Sequence, residues 1–169
     1  MAEPICIGTS GWNYQGWKNG FYAGIAAKKW LTYCAGKFTG IEVNATFYGL
    51  QKRATFARWR DQTPADFKFA VKGNRYVTHN KKLKDPAEPL RREKERSEGL
   101  GDKLAAVLWQ LPGNWHKNVE RLTEFTKHLS AWQETRHVIE FRHPSWFDDE
   151  VAACLSAHRV AVCLSDAAD

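Results

Sequence analysis

Six short apolar runs, separated by five longer stretches of helical pattern, constrain this chain more than any other feature. The runs are Ile5–Gly8, Gly40–Asn44, Phe67–Lys72, Ala105–Leu111, His137–Arg142 and Val160–Leu164. The helical stretches lie near 28–38, 52–61, 87–99, 118–130 and 147–158. Asn118 and Ser145 supply helix start signals, and Pro64 bars continuation of the second stretch. Alternation at this spacing leads through right-handed crossovers to a parallel sheet, so the fold class is α/β. A closed eight-stranded barrel needs about 250 residues, and a chain of 169 falls two units short. An open doubly wound sheet and an incomplete TIM-like (β/α) barrel with about six parallel strands are the alternatives. Aromatic-rich loops after nearly every run favour the barrel, because barrels build their sites from those loops. We therefore expect one domain over residues 1–169, a TIM-like barrel truncated at its C-terminal end. Its two end runs are apolar and lack lysine or proline, which leaves open edges for self-association.

Composition narrows the function classes. Eight Trp and nine Phe in a chain with 43% hydrophobic residues exclude disorder and make a packed core attainable. No run of eighteen apolar residues occurs, and no basic stretch followed by an apolar one opens the chain, so neither a membrane span nor a standard secretory signal is expected. Cys6, Cys34, Cys154 and Cys163 form no Cys-x-x-Cys pair. Cys6 and Cys163 lie in apolar runs and read as small core residues, and free thiols of this kind suit a cytoplasmic location. Residues 51–100 carry 14 basic and 7 acidic side chains, whereas residues 140–169 carry 2 basic and 6 acidic. The basic half points to an anionic partner, although the run Arg91–Arg96 alternates in sign and reads as an exposed, solvated helix.

Strand parity gives the sharpest chemical signal, since alternate residues face opposite sides. Ile41 and Val43 oppose Glu42 and Asn44; Phe67, Phe69 and Val71 oppose Lys68 and Lys72. Gln110 opposes Val107 and Trp109, and Ile139 with Phe141 opposes Glu140 and Arg142. If the bulky faces meet the helices, the polar set gathers at the carboxyl ends of neighbouring strands, where parallel α/β folds place their sites. A structural network of Glu42 and Glu140 with Lys72 and Arg142 is the competing reading. Gln110 suits ligand bonding and loop anchoring equally, and His79 and His143 suit a site or an ordinary loop. A metal would compete for Glu42, His79, Glu140, His143 and Asp166, but the interleaved Lys72 and Arg142 argue against a divalent ion there. No P-loop, Gly-x-Gly-x-x-Gly, Gly-x-Ser-x-Gly or His-Glu-x-x-His pattern occurs, and the sequence specifies no cofactor.

Several segments together resemble one family. They are Gly8-Thr9-Ser10-Gly11-Trp12-Asn13-Tyr14 with Trp17, Glu42-Val43-Asn44-Ala45-Thr46-Phe47-Tyr48, and Phe67-Lys68-Phe69-Ala70-Val71-Lys72 after Thr63-Pro64. Arg75-Tyr76-Val77-Thr78-His79, Leu108-Trp109-Gln110-Leu111-Pro112 and Ile139-Glu140-Phe141-Arg142-His143-Pro144-Ser145-Trp146 follow in order. In these the chain is similar to the YecE-like family, domain of unknown function seventy-two. The resemblance implies a TIM-like barrel longer than this chain. It brings no settled activity with it.

Three functions compete. The first is an enzyme using acid–base chemistry on an anionic, phosphate-bearing substrate. Glu42 and Glu140 would exchange protons and Lys72 would stabilise developing negative charge. Arg75, His79 and Arg142 would hold the anion, with Trp12, Tyr48 and Trp146 as stacking walls and Asn44, Gln110, His143 and Asp166 completing the mouth. The second is a nucleic-acid-binding protein that uses the basic 51–100 segment. The third is a non-catalytic interaction module.

Overall fold

The computed structural model describes residues 5–166. Its strands are β1 (Gly8–Ser10), β2 (Gly40–Val43), β3 (Lys68–Lys72), β4 (Leu104–Gln110), β5 (Arg136–Glu140) and β6 (Ala161–Val162). The α-helices are α1 (Trp30–Ala35), α2 (Ala45–Tyr48), α3 (Arg53–Asp61), α4 (Ala87–Ser97), α5 (Val119–Leu129) and α6 (Asp149–Ala157). The strands form one sheet in chain order, β1 to β6, and every pairing is parallel. The α/β class and the sequential parallel order stand as the alternation required. The sheet is open: among the described residues β1 pairs only with β2, and β6 only with β5.

Helices cover one face. Ile41, Val43, Phe69, Val71, Val107, Trp109 and Ile139 alternate along the strands toward that side and are all buried. They join two clusters, one around Tyr22, Trp30 and Phe56, the other around Leu122, Phe125 and Trp146, with Leu104 packed against both. Each large side chain buried in this way contributes roughly 1.5–3 kcal/mol. Gly73 lets the backbone after β3 lie against this layer, because a Cβ there would sit 2.3 Å from Trp109 Cε3. His137 is a buried polar member of the covered face. Its Nδ1 accepts from Trp109 Nε1 at 3.2 Å, which leaves Nε2 as the proton-bearing nitrogen, 3.0 Å from Trp132 O.

Several sequence expectations need correction. The first strand begins at Gly8 rather than Ile5, because its register with β2 starts at the Gly8–Gly40 pair. Ile5 and Ile7 are consequently exposed, and so is Cys6, which is not a core thiol. Cys163 is only half-buried, beyond the two residues of β6. The Arg91–Arg96 helix is not solvated all round: Leu90, Glu93 and Ser97 form its buried stripe at helical spacing. Ser145 is not the start of α6. Asp148 caps it, accepting from Glu150 N at 2.9 Å and Val151 N at 3.4 Å. Asn118 does cap α5, accepting from Arg121 N at 2.9 Å.

Candidate functional site

The helix-free face of the sheet carries the strand-end polar residues. Register pairs Ser10 with Glu42, Glu42 with Ala70, Lys72 with Leu108, and Gln110 with Glu140. Residues paired across parallel strands point to the same side, so Ser10, Glu42, Lys72, Gln110 and Glu140 share one face. A register shift between Phe69 and Ala70 makes this possible, because their partners on β4 are Leu104 and Ala106, with Ala105 left over. Without that extra residue the side chains of β4 beyond the shift would swap faces and Gln110 would turn toward the helices.

Backbone bonds continue the ladder above the strands and fix the loops. Gly11 N donates to Glu42 O at 2.8 Å, Gly73 N to Leu108 O at 2.8 Å, Leu111 N to Glu140 O at 2.9 Å and Cys163 N to Ile139 O at 2.8 Å. Gly11 turns the chain out of β1 with a φ of 87°, a conformation that suits glycine. Asn74 secures the loop after β3: its Nδ2 donates to Thr46 O at 2.8 Å and its Oδ1 accepts from Tyr76 N at 2.9 Å.

On this scaffold two polar groups take shape. In the first, Asn44 Nδ2 donates to Ser10 Oγ at 2.6 Å, and Ser10 Oγ donates to Glu42 Oε1 at 2.7 Å. In the second, Arg142 Nε lies 2.5 Å from Glu140 Oε1. Glu140 is 4% exposed, yet neither of these two atoms has a hydrogen-bond partner. The charges touch without the alignment a hydrogen bond requires. Cys163 follows β6, beside β5. Burial raises its thiol pKa, the charges of Glu140 and Glu42 raise it further, and Arg142 and Lys72 pull it back down. The thiol is therefore held protonated.

A second set surrounds Phe47. Lys72 Nζ lies 5.2 Å and Arg75 Cζ 5.8 Å from its ring centre, and the His79 ring meets it edge-on at 5.0 Å. His79 has its pKa lowered by burial first, then by Arg75 and Lys72, so it stands there as a neutral imidazole. Its Nδ1 is 2.9 Å from Thr78 Oγ1.

The remaining expected residues scatter. Trp12 packs edge-on against Trp59, with ring centres 5.2 Å apart, and with Asn44 it lines a cleft at the top of β1 and β2. Tyr48 is exposed. His143 stacks on His116 at 4.0 Å and its Nδ1 takes the Ser145 hydroxyl at 2.9 Å. Asp166 is exposed, at the end of the described residues. Trp146 offers no stacking wall: it is 1% exposed, lies flat on Phe141, and donates from Nε1 to Trp115 O at 2.7 Å. Among the described residues no three His, Cys, Asp or Glu side chains are grouped to hold a metal ion. Sequence reasoning missed Ser10, Phe47, His116 and Cys163. Ser10 was within reach of parity, being two residues past Gly8 on the face of Glu42; the others depend on folding.

Comparison with known proteins agrees with this architecture. The chain is 28% identical to the UPF0759 protein YecE of Escherichia coli K12 over 144 residues, which cover 85% of this chain and 50% of that one. It is 27% identical to YunF of Bacillus subtilis over 155 residues, 52% of that protein. The chain thus spans about half the length of these curated relatives. The crystal structure of a DUF72 family protein from Thermotoga maritima superposes with a TM-score of 0.78 at 29% identity, covering 92% of this chain and 62% of that one. A second, from Enterococcus faecalis, gives 0.72 at 18% identity, covering 92% and 58%, and supports the fold. The model of the protein family of unknown function DUF72 matches residues 6–169, and the chain belongs to that family.

Proposed function

We propose that the strand-end cluster is the active site of an enzyme that performs acid–base chemistry on an anionic, phosphate-bearing substrate. One observation carries the reading: the contact between Glu140 and Arg142, in which a buried carboxyl oxygen and a guanidinium nitrogen lack aligned partners. A buried ion pair is costly to desolvate and is commonly no more stabilising than apolar residues of the same volume, so its place at the strand ends favours a role in binding. An anion would draw on Arg142 and Lys72, and Arg75 would approach from the Phe47 side. Glu42 and Glu140 would exchange protons with the substrate, and Lys72 would stabilise charge that develops in the transition state. The Ser10–Asn44 relay fixes the Glu42 carboxylate for that role. His79, neutral at pH 7, contributes a hydrogen bond rather than a charge.

The basic 51–100 segment offers less to a nucleic acid than its composition implies. Arg60, Lys81, Arg91, Arg92 and Lys94 are each engaged with a carboxylate. The test is a thermal-shift titration with inorganic phosphate, followed by a turnover screen of phosphate-bearing small molecules with Glu140→Gln as the control. Saturating phosphate should raise Tm by a few degrees through mass action on the native state. Arg142→Ala and Lys72→Ala should each abolish the rise. Millimolar phosphate, sulfate and nucleotides all leaving Tm unchanged would sink the proposal.

A further inference from the structure

Between the loop after β3 and helix α4 lies a cavity of about 600 Å³, walled by Tyr48, Leu50, Tyr76, Val77 and Pro89, with Glu93 in its lining. None of Glu42, Lys72, Gln110 or Glu140 lines it. Its volume is in the range of small-molecule sites. The two cations at its rim are already occupied: Lys81 pairs with Asp85 and Arg92 with Glu88. Glu93 is different. It is 1% exposed; its Oε2 accepts only a long bond from Asn74 N at 3.4 Å, and its Oε1 has no partner.

A helix gains nothing from an unpaired carboxyl on its buried stripe, where an apolar residue would pack at lower cost. Tyr48 and Tyr76 stand in the same lining, between the apolar Leu50, Val77 and Pro89 and the paired charges of Lys81, Asp85, Glu88 and Arg92, and ring faces attract cations. We propose that this cavity is a second binding site, for an organic cation, in which Glu93 is the counter-ion to an ammonium or guanidinium group and Tyr48 and Tyr76 flank its hydrocarbon body. The proposal is independent of the strand-end chemistry.

A pH signature follows. Burial raises the Glu93 pKa to about 8, against the weaker pull of the Asn74 N–H, so the empty cavity holds a protonated acid at neutral pH. The facing groups are the phenols of Tyr48 and Tyr76 and the paired Lys81, Asp85, Glu88 and Arg92. Among the groups around the cavity, Glu93 is the buried carboxyl whose proton a cation would displace. A cation must displace its proton, so affinity should rise about tenfold per pH unit below that pKa and level off above it.

The experiment is calorimetric titration of the full chain with phenethylamine, butylguanidine and the neutral isostere 2-phenylethanol at pH 6.5, 7.5 and 8.5. At least one cation should bind, about tenfold more tightly at pH 7.5 than at 6.5. Glu93→Gln should weaken it at least ~10-fold, the loss expected for a buried charged partner. Carboxyl 13C NMR on the unsubstituted chain gives a readout that does not depend on how the variant folds. Glu93 should titrate near pH 8 when free and at least about one unit lower with the cation bound. Any of three results overturns the proposal: no cation bound at 10 mM and pH 8.5 (on the order of the weakest useful affinity), 2-phenylethanol bound as tightly as phenethylamine, or a Glu93 titration unmoved by the cation.

Discussion

The two faces of β5 solve the same problem in opposite ways. His137 and Glu140 are both buried polar side chains, three residues apart on one strand and on opposite sides of the sheet. On the helix-covered side His137 has a partner at each ring nitrogen, one of them Trp109, whose own N–H is satisfied in the same bond. On the bare side Glu140 touches Arg142 without an aligned hydrogen bond. A buried polar group that serves the fold is usually fully partnered. One that is left unpartnered costs stability and needs another reason to exist. Glu93 repeats the second pattern in a different part of the molecule, on a helix whose buried stripe is otherwise Leu90 and Ser97.

The comparison can be strained hardest at Trp109. Its indole is fully buried, meets Phe125 edge-on at 5.3 Å, and supplies the donor that satisfies His137. Trp109→Ala should cost about 3–5 kcal/mol in urea denaturation, through the cavity and the orphaned imidazole together. A loss below about 1 kcal/mol would mean that the covered face is not a packed core.

The next largest effect is acid-dependent. Burial lowers the His137 pKa from 6.5 to about 4, and the bond to Trp132 O only partly offsets it. The folded state therefore resists a proton that the unfolded chain accepts. This contribution is complete above pH 6.5 and is lost as pH falls toward 4, about 3 kcal/mol in all at 1.36 kcal/mol per unit. Glu93 acts in the other direction, since its raised pKa makes stability fall as pH rises from 4.5 to 8. Measuring His137→Gln beside the unsubstituted chain cancels that slope. The stability gap between the two should close by about 3 kcal/mol, or change sign, between pH 6.5 and 4. A gap that stays constant across that range would show that His137 is not held neutral.

The strand order and the covered face were legible because both depend on period. Alternation of Ile41, Val43, Phe69 and Val71 with polar residues identified which side meets the helices, and it kept Glu42 and Lys72 off that side. Boundaries were less legible where apolarity outran pairing. Ile5 and Ile7 read as strand, but β2 offers partners only from Gly40 onward. The site was half legible. Parity within β4 placed Gln110 opposite Trp109, but the leftover Ala105 that brings Gln110 beside Glu140 belongs to the pairing of two strands. Trp146 was misjudged because an aromatic residue in a loop looks available until its ring is seen flat against Phe141. Glu93 was hidden by its neighbours: Arg91, Arg92, Lys94 and Glu95 surround it with charge in sequence, while helical spacing turns it inward.

The smallest expected effect separates the two faces most cleanly. If Glu140 and Arg142 are kept for a ligand rather than for the fold, replacing both with apolar residues of similar volume should not destabilise the protein. Buried ion pairs exchanged in this way are commonly neutral or stabilising by about 1–4 kcal/mol. Arg142 retains 23% side-chain exposure, so its charge is partly hydrated and the gain should fall near the low end, about 1 kcal/mol. The doubly substituted chain, Glu140→Met with Arg142→Leu, should thus denature at equal or slightly higher urea and yet lose its thermal response to phosphate. The same exchange on the covered face, at Trp109 and His137, would remove satisfied partners and cost several kcal/mol. If the Glu140 and Arg142 double variant instead loses about 3 kcal/mol or more, the pair supports the sheet as His137 does. The bare face would then be a structural network, and the ligand reading of the strand ends would fail with it.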